Sequence, residues 1–496
     1  MTKPADPKHI ERAQARACAS SILGIPGESV EDDLLEFLTA TQGDALLRAR
    51  AGSGKTTALT IKAAHLTKDL GVDPSRIMML TFNNAAARSL ESRIAQAGVP
   101  SGIKIRTFHA LGQRIVRSHF GGSRRIVFDE KSEDGIAIQE MMDEAIDEVI
   151  NERFFHFCAS RMRTRYDKRV EYVESVGREA LVSAVGFLRA RGYGLQKKMD
   201  NAWEEGGPIA GNAVKVIMGY EKRLKEARML DGVSVLQAAS WSLEREIEKG
   251  VMRMSEAHDV DWIFIDEYQD VSLPYMRLVS AIRDINGMVN IQGVGDDYQS
   301  INGFAGSDLM YFTSPDMALE DPSKLDLLKN RRSGSAIVEW GNQVMREAGF
   351  AGAPAVPDPQ NGEGQVRDTR ISADRDFNYV AERLADMANI EHETIALIAR
   401  KWKVGDHGLT RLSRAVEKHL RAKGWKGKMT AITAHGSKGL EYSEVLLLDD
   451  GSFPMQHPSR PILQDLIPED DYLREESCLK HVAGTRAKRS LVVVSM

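Results

Sequence analysis

The sequence predicts an α/β protein: two parallel-sheet domains, the first interrupted by a helical insertion. Three observations carry this. The stretch "DALLRARAGSGKTTALTIKAAHL" reads as a buried strand, a glycine-rich turn and a helix from about Lys55. The apolar runs "RIMMLTF" and "WIFIDEY" then end in polar residues, as strands do at the carboxyl edge of a parallel sheet, where such folds bind ligands. A second set follows in "ETIALIARKW", "KMTAITAHGSKGLE", "SEVLLLDDG" and "SLVVVSM".

Between the sets of strands, residues 121–231 are helical and highly charged, as in "EDGIAIQEMMDEAIDEVINERFF". The expected division is residues 1–120 and 232–320 for the two parts of the first domain. Residues 121–231 form the insertion and 321–496 the second domain. A chain of 496 residues exceeds one ordinary core, which agrees with several domains. The Gly- and Pro-rich "AGFAGAPAVPDPQNGEGQ" reads as a surface loop of the second domain.

Composition excludes more than it selects. With 42% hydrophobic and 28% charged residues the chain has the make-up of a soluble globular protein, and its formal charge of -5 argues against a uniformly basic coat. Cys18, Cys158 and Cys478 form neither a metal pattern nor a disulfide framework, which fits a reducing compartment. No apolar run spans a bilayer, so the expected location is cytoplasmic and no membrane partner is expected.

The loop "RARAGSGKTT" carries the first chemistry. Gly52 and Gly54 supply a turn whose N–H groups face phosphates, Ser53 and Thr57 complete it, Lys55 is the phosphate cation, and the Thr56 hydroxyl suits Mg²⁺. "WIFIDEYQD" supplies the acids: Asp266 for the metal shell and Glu267 to polarise the attacking water. The run "RMRTRYDKR" either tracks phosphates or is a solvated helix face. A nuclease reading finds no further carboxylate and lysine cluster outside these motifs.

Further along, "VGDDYQSINGFAGS", "KNRRS", "TAHGSKGLEY" and "REESCLKHVAGTRAK" stand in the order of the UvrD/Rep/PcrA family of superfamily 1 DNA helicases, which the chain resembles from Ala49 to Ala487. The upstream "TFNNAAARSLESRI" and "IRTFHALGQRI" resemble that family's strand-contacting segments. The resemblance implies two RecA-like P-loop domains, ATP and Mg²⁺ as cofactors, and single-stranded and tailed duplex DNA as partners. It implies that Gln299 senses the γ-phosphate, that Arg332 and Arg486 are arginine fingers from the second domain, and that Glu441 contacts the ribose beside Lys438. For DNA it points to Phe82, Phe304 and Tyr268 as stacking candidates, and to Asn84, Thr107, His109, Thr433 and His435 as backbone contacts. Movement would be 3′ to 5′.

Four departures stand out. No glutamine sits at the spacing of the family's adenine reader, Gln42 being too close to the loop. Arg331 replaces the adenine-stacking aromatic, though a guanidinium can also stack on a purine. Arg50 replaces a loop glycine and Asn302 an aromatic beside the DNA, and the sequence leaves open whether Arg50 and Arg331 together reshape nucleotide choice. About a hundred residues separate Arg332 from His435, too few for the family's large accessory domain. The expected function is an ATP-driven single-stranded DNA translocase or helicase in repair, recombination or phage defence. The alternative is a nucleotide-sensing subunit that regulates a nuclease or repair partner.

Overall fold

The computed structural model describes residues 7–192, 199–372 and 376–496. Its first sheet has six parallel strands in the order Lys104–Thr107, Ile77–Thr81, Trp262–Asp266, Asn290–Gly295, Ala45–Ala49 and Ser323–Leu327. The central strands are apolar along their whole length because both faces are covered. Leu47, Met79 and Phe264 point into one layer, and Leu46, Met78 and Ile263 into the other. This order puts the carboxyl ends of three adjacent strands, at Ala49, Asp266 and Gly295, side by side.

The second sheet is also parallel, in the order Gln365–Arg370, Ala487–Ser495, Tyr442–Asp449, Thr394–Ala399 and Lys428–Thr433. It too is covered on both faces, by clusters around Leu397 and Leu446 and around Ile398 and Leu447. Among the described residues no helix is long and apolar enough to cross a membrane, and the three cysteines are free thiols.

The insertion comprises helices Glu133–Asp147, Glu152–Arg161, Val170–Ala190 and Met199–Ala227, the last broken at Gly207 before Pro208. A short parallel pair, Arg125–Ile126 with Met229–Leu230, closes its base. Its core around Phe154, Leu181 and Ile217 also takes in Ile462 and Leu463 from the second half of the chain. The basic run at its edge is partly neutralised: Arg161 pairs with Asp465 and Arg165 with Asp167.

Two expectations change. The strand Ser323–Leu327, placed by sequence in the second domain, pairs with Ala45–Ala49, so the first sheet extends past residue 320. Its pattern "SKLDL" is that of an edge strand with exposed positions, which lacks the apolar signature of its neighbours. The Gly- and Pro-rich segment is more than a surface loop. Ala355 and Asp358 are buried in it, and Val356–Pro357 pairs with Lys329–Asn330.

Candidate nucleotide cleft and strand-facing edge

The loop after Ala49 can turn as it does because Gly52 and Gly54 adopt φ of +74° and +98°, which side chains with a Cβ rarely accept. A Cβ on Gly52 would also stand 2.7 Å from the Arg332 Cβ and the Asn330 Oδ1. The loop runs into helix Lys55–Lys68, whose first N–H groups and dipole favour an anion. The Thr56 hydroxyl donates to Asp266 Oδ2 at 3.0 Å. Lys55 Nζ lies 3.9 Å from Glu267 and 4.0 Å from Asp296, loosely held between two carboxylates. Thr57 Oγ1 accepts from Arg93 at 3.4 Å, and the buried Ser53 hydroxyl finds no partner among the described residues.

The acids follow from the strand order. Glu267, at φ +55°, is a non-glycine residue in the left-handed region directly after its strand, a strain typical of functional turns. Gln269 bridges two strands: its Nε2 donates to Glu267 at 2.6 Å and its Oε1 accepts from Asp296 N at 2.9 Å. Gln299 Nε2 donates to Asp296 Oδ2 at 2.6 Å. Burial and the Glu267 charge push the Asp266 carboxyl up, whereas Lys55 and Lys438 hold Glu267 low in spite of burial. Sequence reading misses Asp296 and Gln269. The available signal for Asp296 is its place directly after the strand Asn290–Gly295.

From the second lobe, Arg332 Nε donates to Glu441 at 2.8 Å, and Lys488 holds the other Glu441 oxygen at 2.8 Å. Arg486 is buried, donates from Nε to Val482 O at 2.9 Å, and leaves Nη2 without a partner among the described residues. Burial, with Arg332 nearby, pulls the proton affinity of Arg486 down. Lys438 reaches across to the first lobe, donating to Asp270 and to Gln299 O. Arg331 lies over the phosphate loop, where Nη1 donates to Ser53 O at 2.6 Å and Nη2 pairs with Glu31.

Arg50 is turned toward the buried acids at the end of the neighbouring strand. Its Nη1 donates to Asp296 at 2.7 Å and to Asp297 at 2.6 Å, its Nε to Ala353 O at 2.8 Å, and its plane lies 3.4 Å from the Tyr298 ring centre. The side chain is 1% exposed. With Lys55, Arg50 holds the buried Asp296 carboxyl low in spite of its burial.

An anion of the polyphosphate type fits this cleft: glycine-shaped loop, loosely held lysine, and unpartnered buried donors on Ser53 and Arg486. The Thr56 and Asp266 oxygens are a donor set suited to a hard cation such as Mg²⁺.

Along the same carboxyl edges lie the strand-contacting candidates. Phe304 is 59% exposed, and its ring meets His435 edge-on at 5.6 Å across the lobes. Thr433 is half-buried beside them and accepts from Gly436 N at 3.3 Å. Asn84 is exposed at the start of helix Asn84–Gln96. Half-buried His109 touches Tyr275 and Phe128 edge-on, and burial lowers its basicity. Two candidates are not brought to the surface. Tyr268 is fully buried in the first core, and the Thr107 hydroxyl caps helix Phe108–Phe120 by accepting from Ala110 N at 3.1 Å. Phe82 is half-buried, wedged between Phe108 and Tyr275. Sequence reading also misses Arg400, which is bidentate to Glu476 at 3.0 and 2.7 Å and lies 3.5 Å from His435 Nδ1.

Comparison with known proteins agrees with this arrangement. Residues 30–317 match the UvrD/REP helicase N-terminal domain, and residues 408–496 match the UvrD-like helicase C-terminal domain. The chain is 26% identical over 425 residues to the ATP-dependent DNA helicase PcrA of Leuconostoc citreum, covering 83% of this chain and 50% of that protein. It is 25% identical over 461 residues to DNA helicase IV of Escherichia coli K12, covering 89% of this chain and 65% of that protein. The chain thus spans about half to two thirds of the length of these relatives. With the first family model covering more than half of its residues and the second its carboxyl-terminal part, the chain belongs to the UvrD/Rep helicase family.

Proposed function

We propose that the protein is an ATP-driven motor on single-stranded DNA that translocates along it and opens tailed duplexes. The observation that carries this is a cleft with the phosphate loop and acids on one lobe and Arg332 and Arg486 on the other, joined to an exposed edge where Phe304 meets His435 across the same boundary. Chemistry and strand contact therefore straddle one joint.

In this reading Lys55 and the loop N–H groups hold the β and γ phosphates, and Glu267 orients the attacking water and accepts its proton. Arg332 and Arg486 meet the charge that spreads over the transferred phosphoryl group, a task for permanently charged forks of donors. Arg332 exchanges its Glu441 partner for the ligand, whereas Arg486 already has a donor free. Thr56 and Asp266 would hold Mg²⁺, which when bound supplies neutralisation of phosphate charge. Gln299 is tied through its side chain to Asp296 and through its carbonyl to Lys438, so a shift at the phosphates reaches both lobes. Phe304 then grips or releases a base by stacking, which is sequence-tolerant.

Movement 3′ to 5′, a cytoplasmic setting and a role in repair, recombination or phage defence belong to the same proposal. ATP hydrolysis by purified protein, with and without single-stranded DNA, tests it. DNA should stimulate turnover, and indifference to DNA sinks the reading. A second reading, a nucleotide-sensing subunit regulating a nuclease or repair protein, draws support from Arg331, whose pairing with Glu31 occupies the place of the family's adenine-stacking ring. Strong unwinding of a tailed duplex by this chain alone counts against it. Running 3′- and 5′-tailed duplexes with all four nucleoside triphosphates separates direction and base preference.

A further inference from the structure

We propose that Arg50 is a positioning residue for ATP turnover: it gives the buried carboxylate of Asp296 a cation of its own, so that Lys55 is left free for the phosphates. This rests on the motor reading above and deepens it at the residue where the loop departs from the family's glycine.

The need for such a cation comes from burial. Asp296 follows strand Asn290–Gly295 directly and has no exposed surface, and a carboxylate out of water is costly unless an opposite charge and hydrogen bonds meet it. Gln299, which donates to Oδ2 at 2.6 Å, brings no charge. Two cations stand nearby. Arg50 Nη1 is 2.7 Å from Oδ1, whereas Lys55 Nζ lies 4.0 Å from Oδ2 and 3.9 Å from Glu267, beyond hydrogen-bond length of either. The division matters because Lys55 is also the phosphate cation. An ammonium locked onto a buried carboxylate would have to leave it before serving a ligand.

Arg50 can fill this place because both lobes hold it. On the first lobe Nη1 also donates to Asp297 Oδ1 at 2.6 Å, and toward the second Nε donates to Ala353 O at 2.8 Å. Two residues on, Ala355 exchanges hydrogen bonds of 3.0 and 2.9 Å with Asn342 of helix Ser335–Glu347, which fixes that segment to the second lobe. The Tyr298 ring centre lies 3.4 Å from the guanidinium carbon, and its hydroxyl donates to Gly352 O at 3.1 Å. There is no slack on the remaining side: a Cβ on Gly352 would stand 2.8 Å from Nη2. A flat fork with a stacked face is a shape that lysine cannot copy.

A buried ion pair of this kind also suits a plain structural plug beneath the loop. The two roles differ at Lys55. Loss of a plug lowers the amount of folded protein and leaves the affinity of what remains unchanged, whereas loss of the charge partner delivers Lys55 to Asp296 and weakens the hold on ATP.

Steady-state ATP hydrolysis by the full chain, with single-stranded DNA present, tests this. Arg50→Met keeps the bulk and removes the charge, so the apparent KM for ATP should rise about 10- to 150-fold, the span of one hydrogen bond to a charged group, with kcat falling by less. Arg50→Lys keeps a charge without the fork and should lie between. Adding Asp296→Asn to Arg50→Met removes the charge that captures Lys55 and should bring KM back toward wild type. Urea unfolding gives the folded fraction of each variant, which scales kcat but not KM. Should Arg50→Met not fold, the double variant carries the test, since it strands no buried charge, and a KM more than about tenfold above wild type would then overturn the inference. Wild-type protein that hydrolyses no ATP refutes the motor reading itself. A KM that Arg50→Met leaves within about twofold, or one that Asp296→Asn does not lower again, overturns this inference alone.

Discussion

The nucleotide cleft and the strand-facing edge are built from opposite kinds of side chain. In the cleft, Asp296 receives Arg50, Gln299 and, at longer range, Lys55, and none of its surface meets water. At the edge, Phe304 stands mostly in solvent. Groups that steer phosphoryl chemistry must be held to fractions of an ångström by several partners. A surface that any base must enter and leave needs open faces and tolerates loose ones. Mutations in the cleft should therefore change rates and stability, and those at the edge should change grip.

Lys55→Ala gives the largest expected effect. Removing the loosely held cation of the loop should cut the rate of phosphate release about 100- to 1,000-fold or more, and retained turnover would remove the loop from the mechanism. Arg50→Gly comes next. It strips the fork from two buried carboxylates, and breaking such a pair costs about 3–5 kcal/mol, so urea unfolding should show a clearly lower midpoint. An unchanged midpoint would mean that water replaces the guanidinium and that the cleft is less tightly built than its partners suggest.

Phe304→Ala sharpens the comparison from the other side. It should weaken single-stranded DNA binding by about 1–3 kcal/mol and uncouple movement from hydrolysis, while DNA-free turnover stays near wild type. Translocation at the normal rate would show that another residue carries the stack. The smallest effect is at Glu475, which faces the Phe304 amide at 3.4 Å and whose carboxyl is pushed up to about 7, chiefly by burial. An acid raised from 4.5 to about 7 binds more protons folded than unfolded, so its contribution to stability falls as pH rises through that window. Glu475→Gln should therefore melt higher than wild type above pH 7, by of order 1–2 kcal/mol after allowance for solvent screening. The gain should vanish near pH 4. A gain that persists there would assign it to packing.

What the sequence discloses follows the same divide. The loop and Asp266 come together as the apolar strands before them lead one to expect, with the Thr56 hydroxyl donating to Asp266. The pairing of Arg50 is not legible in sequence because its partners lie 246 and 247 residues away, on a different strand end, and nothing local marks it. Tyr268 and Thr107 point toward DNA only through their neighbouring motifs. The fold places Tyr268 in its core and uses Thr107 as a helix cap, and both outcomes are decided by packing. Ser323–Leu327 escapes because an edge strand, half in water, lacks the continuous apolar run that identifies the others.

The passage of the chain from the first sheet to the second has a mechanical meaning. It leaves at Leu327, whose carbonyl accepts from Arg50 N at 3.1 Å, and four residues later Arg331 N donates to Gly52 O at 2.9 Å. The tether between the lobes is thus stitched to the phosphate loop at both margins. A partly open cavity of about 550 Å³ lies between the helical insertion, the Phe304 segment and helix Glu469–Gly484. A displacement of the tether must carry the phosphate loop with it, because the two share the backbone hydrogen bonds at Leu327 and Gly52.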